Sequence, residues 1–195
     1  MDIDDIENID CLSGSMGPTS QQVSCLNTIH HITGQVYLSG VKPINSQNIM
    51  ERKIGLVICC ADPDPEILLA HQQLLEQIPD ISIVVIPYDD VDSQCLADNL
   101  PVSSNTDLSA LGIHASDALT SALNLITNFQ GGVLVHCHAG VSRSVAVLCY
   151  YLMFTQVISF DEALDIVQAI RPIADPNDGF REELTSLGEM IVLLS

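Results

Sequence analysis

Tryptophan is absent from the 195-residue sequence, and aromatic residues make up only 4% of it. Without tryptophan, the chain lacks the best side-chain platform for stacking sugar rings. Basic residues are also scarce, since six Lys and Arg accompany 25 Asp and Glu and give a formal net charge of −19. A field of that sign repels nucleic acid and anionic lipid. The composition therefore disfavours carbohydrate, nucleic-acid and membrane-surface partners.

Long apolar segments are missing as well. The longest wholly apolar run, residues 145–154, is too short to span a bilayer, and no basic segment with an apolar run opens the chain as a secretory signal does. The seven cysteines are an odd number without the spacing of a disulfide framework, which favours a reducing compartment. We expect a soluble cytoplasmic protein and leave its entry into the nucleus open.

The sequence divides into an N-terminal tail and a single domain. Residues 1–41 contain no Lys or Arg, and the first ten include five acids, which predicts an acidic, mobile tail over residues 1–25 and one folded domain over 26–195. Apolar runs predict strands at 35–40, 54–60, 81–86 and 133–135. Helical spacing marks residues 65–78, 108–126, 144–154, 159–170 and 180–191. This order predicts an α/β fold with a central, mostly parallel sheet flanked by helices and a helical C-terminal half.

The stretch 136–144, between a predicted strand and a predicted helix, carries the clearest chemistry. It places Cys137 and Arg143 six positions apart where a helix begins. A helix N-terminus and a concave run of N–H groups bind anions, and an arginine fork pairs with two phosphate oxygens. The same surroundings favour the Cys137 thiolate, aimed at phosphorus. The backbone predicted to hold phosphate belongs to His138, Ala139, Gly140, Val141, Ser142 and Arg143.

A simpler interpretation makes Cys137 a buried, inert cysteine with a solvated arginine nearby. That interpretation explains neither the glycine in the loop nor Arg143 and Ser144 at the start of the helix. We therefore favour the phosphate-binding loop.

The stretch resembles the signature of the protein tyrosine phosphatase superfamily, which is His-Cys, five residues, Arg, then Ser or Thr. Residues 36–40, 86–90, 171–172 and 176–180 are also similar to segments of small, atypical dual-specificity phosphatases. Without tryptophan, the chain lacks the Trp-Pro-Asp acid loop of classical tyrosine phosphatases. Positions 138 and 141 are His and Val, where phosphoinositide-specific relatives usually place lysines.

The resemblance implies a role for each residue of the loop. Cys137 is expected to form a cysteinyl-phosphate, with Arg143 and the loop N–H groups holding the equatorial oxygens. Ser144 is expected to donate a hydrogen bond to the Cys137 sulfur. His136 is expected to orient the loop through its ring nitrogens.

Two residues outside the loop are also expected to take part, each with an alternative. Asp90 matches the family's general acid, but the segment 91–106 is longer than usual, and Asp89 and Asp92 are alternatives. Asn177 resembles an asparagine that braces the phosphate loop, and a turn-forming Pro-Asn is the plain alternative.

The resemblance implies a protein phosphatase acting on phosphotyrosine and on phosphoserine or phosphothreonine, with a phosphorylated protein as its partner. The alternatives are a weakly active phosphoprotein-binding module or scaffold and, opposed by the charge, an RNA 5′-phosphatase. No cofactor and no metal are expected, because neither His30-His31 nor His136 and His138 has the spacing of a closed zinc site. Cys59 and Cys60 lie at the end of a predicted strand. They are either buried structural cysteines or, in one case, a disulfide partner for oxidised Cys137. The sequence leaves the substrate, the Tyr against Ser/Thr preference and the oligomeric state open.

Overall fold

A computed structural model describes residues 19–88, 90, 102–103 and 118–194. Six strands form one sheet: β1 (His30–Thr33), β2 (Val36–Ser39), β3 (Ile54–Cys59), β4 (Ser82–Val85), β5 (Val102–Ser103) and β6 (Gly132–His136). Their spatial order is β1-β2-β6-β3-β4-β5. The four central strands are parallel and the two outer ones pair antiparallel. The predicted, mostly parallel sheet is confirmed.

Helices lie on this sheet and dominate the C-terminal half. They are α1 (Ser20–Leu26), α2 (Ser46–Glu51), α3 (Pro65–Gln77), α4 (Ala118–Asn128), α5 (Arg143–Gln156), α6 (Phe160–Ile170) and α7 (Asp178–Leu194). The helix α1 overlaps the end of the predicted tail, whose residues 1–18 lie outside the described part. The first ten residues of the helix predicted at 108–126 lie outside it too.

Several of these helices start at a residue whose side chain caps the first turn. The Asp64 carboxylate accepts a hydrogen bond from the Ile67 N–H, and Pro65 occupies the first turn of α3, where its missing N–H costs nothing. Reciprocal capping boxes stabilise the N-termini of two helices. Thr19 and Gln22 form the box of α1, and Ser159 and Glu162 form the box of α6. Ser159, followed three residues later by Glu162, is the sequence signature of such a box.

Apolar side chains fill both faces of the sheet. One cluster joins the sheet to α4, α5, α6 and α7, and a second, smaller cluster includes Ile49 of α2 and Leu74 of α3. The interior of α5 is buried on all sides, as its uninterrupted apolar sequence predicts. Within the described residues, no single helix has the length and apolarity to cross a membrane. The helices α5 and α6 have sufficient length and apolarity only when they are counted together, and a bend of 119° separates them.

This topology places Cys137 directly after β6, between β2 and β3 at the carboxyl ends of parallel strands. Ligand sites of α/β sheets form beyond such ends. The loop 137–142 connects β6 to the start of α5 at this edge.

Candidate active site

The loop between β6 and α5 is held from outside by its carbonyl groups. Four consecutive carbonyl oxygens accept hydrogen bonds from donors of the surrounding scaffold. These bonds run from Val41 N–H to His138 (2.8 Å), Arg171 Nη2 to Ala139 (2.8 Å), Arg171 Nε to Gly140 (2.6 Å) and Asp175 N–H to Val141 (2.8 Å).

This outward anchoring turns the N–H groups of the loop inward. In a planar trans peptide the N–H points opposite to the preceding C=O, so the N–H groups of residues 139–142 face the concave side. The Gly140 N–H donates to the Cys137 sulfur at 3.2 Å. Together with the N-terminus of α5, these groups form the nest that the sequence predicts for an anion.

Two glycines allow the loop to pack against the end of β2. Gly140 has φ +68°, and a Cβ there would lie 2.5 Å from the Ser39 carbonyl. A Cβ at Gly40 would lie 2.7 Å from the His138 oxygen. Both contacts are shorter than any side chain tolerates, so the backbones approach this closely only as glycine.

Cys137 lies at the bottom of this nest with 1% of its surface exposed. Its sulfur accepts a hydrogen bond from the Ser144 hydroxyl at 3.1 Å, in addition to the one from Gly140. The bond from Ser144 is the one expected from the sequence. The buried sulfur therefore has two hydrogen-bond donors aimed at it.

Arg143 begins α5 and turns its guanidinium toward the end of the β4 extension. Its Nη1 donates to the Tyr88 carbonyl at 3.4 Å, and its Nε lies 3.5 Å from Asp90 Oδ2. That ion pair lacks hydrogen-bond geometry, so among the described residues Nε is the one buried side-chain polar atom without a hydrogen-bond partner. A buried, unused donor is costly unless a ligand accepts from it.

Asp90 is tied to the loop by side chains on both sides. Its Oδ1 accepts from the Ser142 hydroxyl at 2.6 Å and from Asn177 Nδ2 at 3.1 Å. The carboxylate is one-third exposed. The predicted acid therefore lies beside the phosphate loop, whereas Asp89 and Asp92 fall outside the described residues and the choice among the three stays a prediction.

Asn177 connects three parts of the site. Its N–H donates to the Ser142 hydroxyl at 3.1 Å, its side-chain amide reaches Asp90, and its Oδ1 accepts from the Phe180 N–H in the first turn of α7. Asn177 therefore contacts the phosphate loop and also caps α7, and its bracing role stays a prediction.

The two histidines that flank Cys137 point away from the nest. The His136 ring contacts the Cys137 carbonyl through Nδ1 at 3.1 Å and His71 Nε2 through its own Nε2 at 3.0 Å. Burial lowers the pKa of His136 to about 3 and that of His71 to about 4, so both rings are neutral near pH 7. The His138 ring lies between Asp64 and Glu66 at the start of α3, at 3.3 and 3.1 Å.

Arg171 is the functional residue that the sequence leaves without an individual role. It is fully buried, and burial lowers its pKa from 12.5 to about 10. Besides its two bonds to the loop, its Nη1 contacts the Cys25 carbonyl at 2.8 Å and His30 Nδ1 at 2.9 Å. The Arg-Pro pair that resembles the family's buttress is its only signal in the sequence. His71 has no sequence signal, because its meeting with His136 depends on the packing of α3.

Comparisons with known proteins agree with this geometry. The family model described as dual specificity phosphatase, catalytic domain, matches residues 36–190. A protein of Acanthamoeba polyphaga mimivirus named "Putative tyrosine-protein phosphatase" is 29% identical over 185 residues, which cover 82% of this chain and 83% of that protein. Rattus norvegicus dual specificity protein phosphatase 15 is 47% identical over 58 residues, 30% of this chain and 25% of that one.

Solved structures share the fold at low identity. The crystal structure of human DUSP28 superposes with a TM-score of 0.63 at 21% identity, over 86% of this chain and 100% of that one. The crystal structure of DUSP15 gives 0.62 at 22% identity, over 86% and 94%.

The family match extends over most of the described chain and includes the loop, Asp90 and Asn177. The chain belongs to the dual specificity phosphatase catalytic domain family, within the protein tyrosine phosphatase superfamily, and is an enzyme of that class.

Proposed function

We propose that the protein hydrolyses phosphotyrosine and phosphoserine or phosphothreonine in protein substrates through a cysteinyl-phosphate on Cys137. The observation that carries the proposal is that residues 137–143 bring together a buried sulfur, an inward-facing row of N–H groups and an arginine with an unused donor. Phosphoryl transfer needs these three groups, namely an in-line nucleophile, charge stabilisation at the equatorial oxygens and a clamp.

In the first step the Cys137 sulfur attacks phosphorus and the bond to the leaving oxygen breaks. The N–H groups of residues 139–142 and the Arg143 fork hold the three equatorial oxygens. Asp90, protonated, gives its proton to the leaving oxygen. The products of this step are the dephosphorylated side chain and a phosphorylated Cys137.

In the second step water hydrolyses the intermediate. Asp90, now a carboxylate, takes a proton from the attacking water, and the Cys137 sulfur leaves phosphorus as a thiolate. The Ser144 hydroxyl, 3.1 Å from that sulfur, stabilises the thiolate by donating to it. Inorganic phosphate is released, and the reaction requires no metal and no cofactor.

A phosphorylated protein is the substrate class that the composition favours, since a net charge of −19 opposes RNA. We also propose that the enzyme works in the reducing cytoplasm, a proposal supported by seven cysteines without the spacing of a disulfide framework and by five unpaired ones among the described residues.

A small aryl phosphate assayed across pH provides the first test, with wild type beside Cys137→Ser and Asp90→Asn. We expect Cys137→Ser to abolish turnover, since it removes the nucleophile. Asp90→Asn is expected to lower kcat by about 10²- to 10⁴-fold, the usual contribution of a positioned general acid.

Asp89→Asn and Asp92→Asn are the matched controls, because each removes a carboxylate that neighbours Asp90 in the sequence. Their loss of kcat should be smaller than that of Asp90→Asn. A larger loss in Asp92→Asn would move the acid to that residue. A folded, reduced wild type without turnover would leave the phosphoprotein-binding module as the better interpretation.

A further inference from the structure

Three buried side chains that the proposed mechanism does not use as reactive groups meet beside the phosphate loop. They are Cys59 at the end of β3, His71 in α3 and His136 at the end of β6, each no more than 6% exposed. The Cys59 sulfur and one nitrogen of each ring all lie within 4.8 Å of one another. We propose that these three side chains form a binding site for Zn²⁺.

The arrangement follows from the sheet register and the packing of one helix. Cys59 and His136 are register partners on adjacent parallel strands, so their side chains stand on the same face. The His71 ring approaches that face from α3 and meets the His136 ring edge to face, at 90° and 5.2 Å between centroids. Three separate elements therefore fix the three donors.

The His136 ring is oriented as metal-binding histidines usually are. Its Nδ1 contacts the Cys137 carbonyl, which can only accept, so Nδ1 carries the proton. A neutral His136 then directs the Nε2 lone pair toward His71 and Cys59. A backbone carbonyl that holds the other ring nitrogen in this way is the common support of a zinc ligand.

The donor set selects the class of metal. One thiolate and two imidazoles are a set that Zn²⁺ binds in tetrahedral geometry, at about 2.3 Å to sulfur and about 2.0 Å to nitrogen. Two such nitrogens lie about 3.3 Å apart, slightly more than the 3.0 Å between the two Nε2 atoms. Among the described residues, the cluster supplies three protein ligands, which leaves the fourth position to water.

Binding changes the proton count of the cluster in a definite way. The Cys59 thiol loses its proton to solvent as the sulfur–zinc bond forms. The proton on His71 Nε2 moves to Nδ1, so that Nε2 can donate its lone pair. Each bound Zn²⁺ therefore releases one proton, and the metal with its thiolate adds one net positive charge at the cluster.

Cobalt spectroscopy of the full chain in a Cys137→Ser background tests the site. This background removes the catalytic sulfur as a competing ligand and makes the outcome independent of turnover. One equivalent of Co²⁺ added to the reduced, chelator-treated protein should give a thiolate charge-transfer band and the intense visible bands of four-coordinate cobalt. Zn²⁺ should abolish both.

Variants of the ligands, made in the same background, assign the bands. Cys59→Ala should lose the charge-transfer band, and His71→Gln should lose the four-coordinate visible bands. Cys149→Ala is the matched control, because Cys149 resembles Cys59 in being fully buried and in having a pKa that burial raises to about 12. This variant should keep both the charge-transfer band and the visible bands. A charge-transfer band that persists in Cys59→Ala, or Co²⁺ that binds without one, would overturn the proposal.

X-ray absorption of the zinc-loaded Cys137→Ser protein keeps the test decisive if a ligand variant fails to fold. One sulfur and two imidazole nitrogens around zinc would support the site. A shell of oxygen and nitrogen alone would refute it. Neither result bears on the phosphatase mechanism, which uses Cys137.

Discussion

Single residues determine how closely the phosphate loop can approach β2, and Gly140 is the most constrained of them. We predict that Gly140→Ala lowers the free energy of unfolding by about 3 kcal/mol or more, because it combines a left-handed φ with a clash against the Ser39 carbonyl. The altered loop should also lose most of its phosphatase activity. Urea unfolding beside an aryl phosphate assay measures both effects.

Gly34→Ala is the matched control. Gly34 has φ +50°, but a Cβ there meets nothing within 4 Å, so the variant should cost about 1 kcal/mol from backbone strain alone. Its activity should be that of the wild type. Equal urea midpoints for the two variants would contradict the steric argument.

Residue spacing alone predicts roles only where neighbours in the chain are also neighbours in space, and the roles of Asp90 and Asn177 come from the family resemblance instead. Cys137 in the loop and Arg143 and Ser144 at the start of α5 lie in one short stretch of the chain, so their spacing alone predicts the nest. Arg171 reaches carbonyls 31 and 32 positions away, and His71 meets His136 at a distance of 65 positions. No local pattern contains such contacts, since packing alone produces them.

At the scale of elements, strands and helices with strong patterns are predicted best. The buried strand β3 and the apolar helix α5 follow their sequence runs to within two residues. The short elements α1, β1, α2 and β5 have two to seven residues and no periodicity that rises above their surroundings. The neighbours that these segments pack against stabilise them more than their own sequence does.

The two capping boxes give a prediction about pH. Donation from the Ser159 N–H and hydroxyl holds the pKa of Glu162 below its ordinary value of 4.5. A carboxyl with a lowered folded pKa stabilises the protein above pH 4.5 and loses that effect as the pH falls through the lowered pKa. Ser159→Ala removes the hydroxyl and should therefore lower the urea midpoint more at pH 7 than at acid pH.

Thr19→Ala provides the comparison at α1. Its partner Gln22 makes the same reciprocal hydrogen bonds but does not titrate. The cost of this variant should stay constant across the same pH range. A cost for Ser159→Ala that is equally constant would show that the charge on Glu162 contributes nothing to the cap.

At the scale of the whole molecule, the net charge of −19 acts on every substrate that approaches the nest. The field attracts cationic segments and repels anionic ones, and it decays over a Debye length of about 8 Å at physiological salt. Rates of association should therefore depend on the charge of the residues that flank the phosphorylated side chain.

Two phosphopeptides of identical length test this field, one with lysines and one with glutamates around the same phosphotyrosine. At low salt, kcat/KM for the basic peptide should exceed that for the acidic peptide by about tenfold or more. The difference should shrink as salt is added. A preference that salt leaves unchanged would instead indicate direct contacts.

The outward anchoring of the loop carbonyls has a consequence for the order of biosynthesis. Cys137 and Arg143 are translated well before Arg171 and Asp175, which hold three of the four anchored carbonyls. While those later residues are still inside the ribosome, only the Val41 N–H is in place to anchor a loop carbonyl. A nascent chain ending near α6 therefore carries its nucleophile with an incomplete oxyanion receptor, and the receptor is completed only when residues 171–175 emerge and dock.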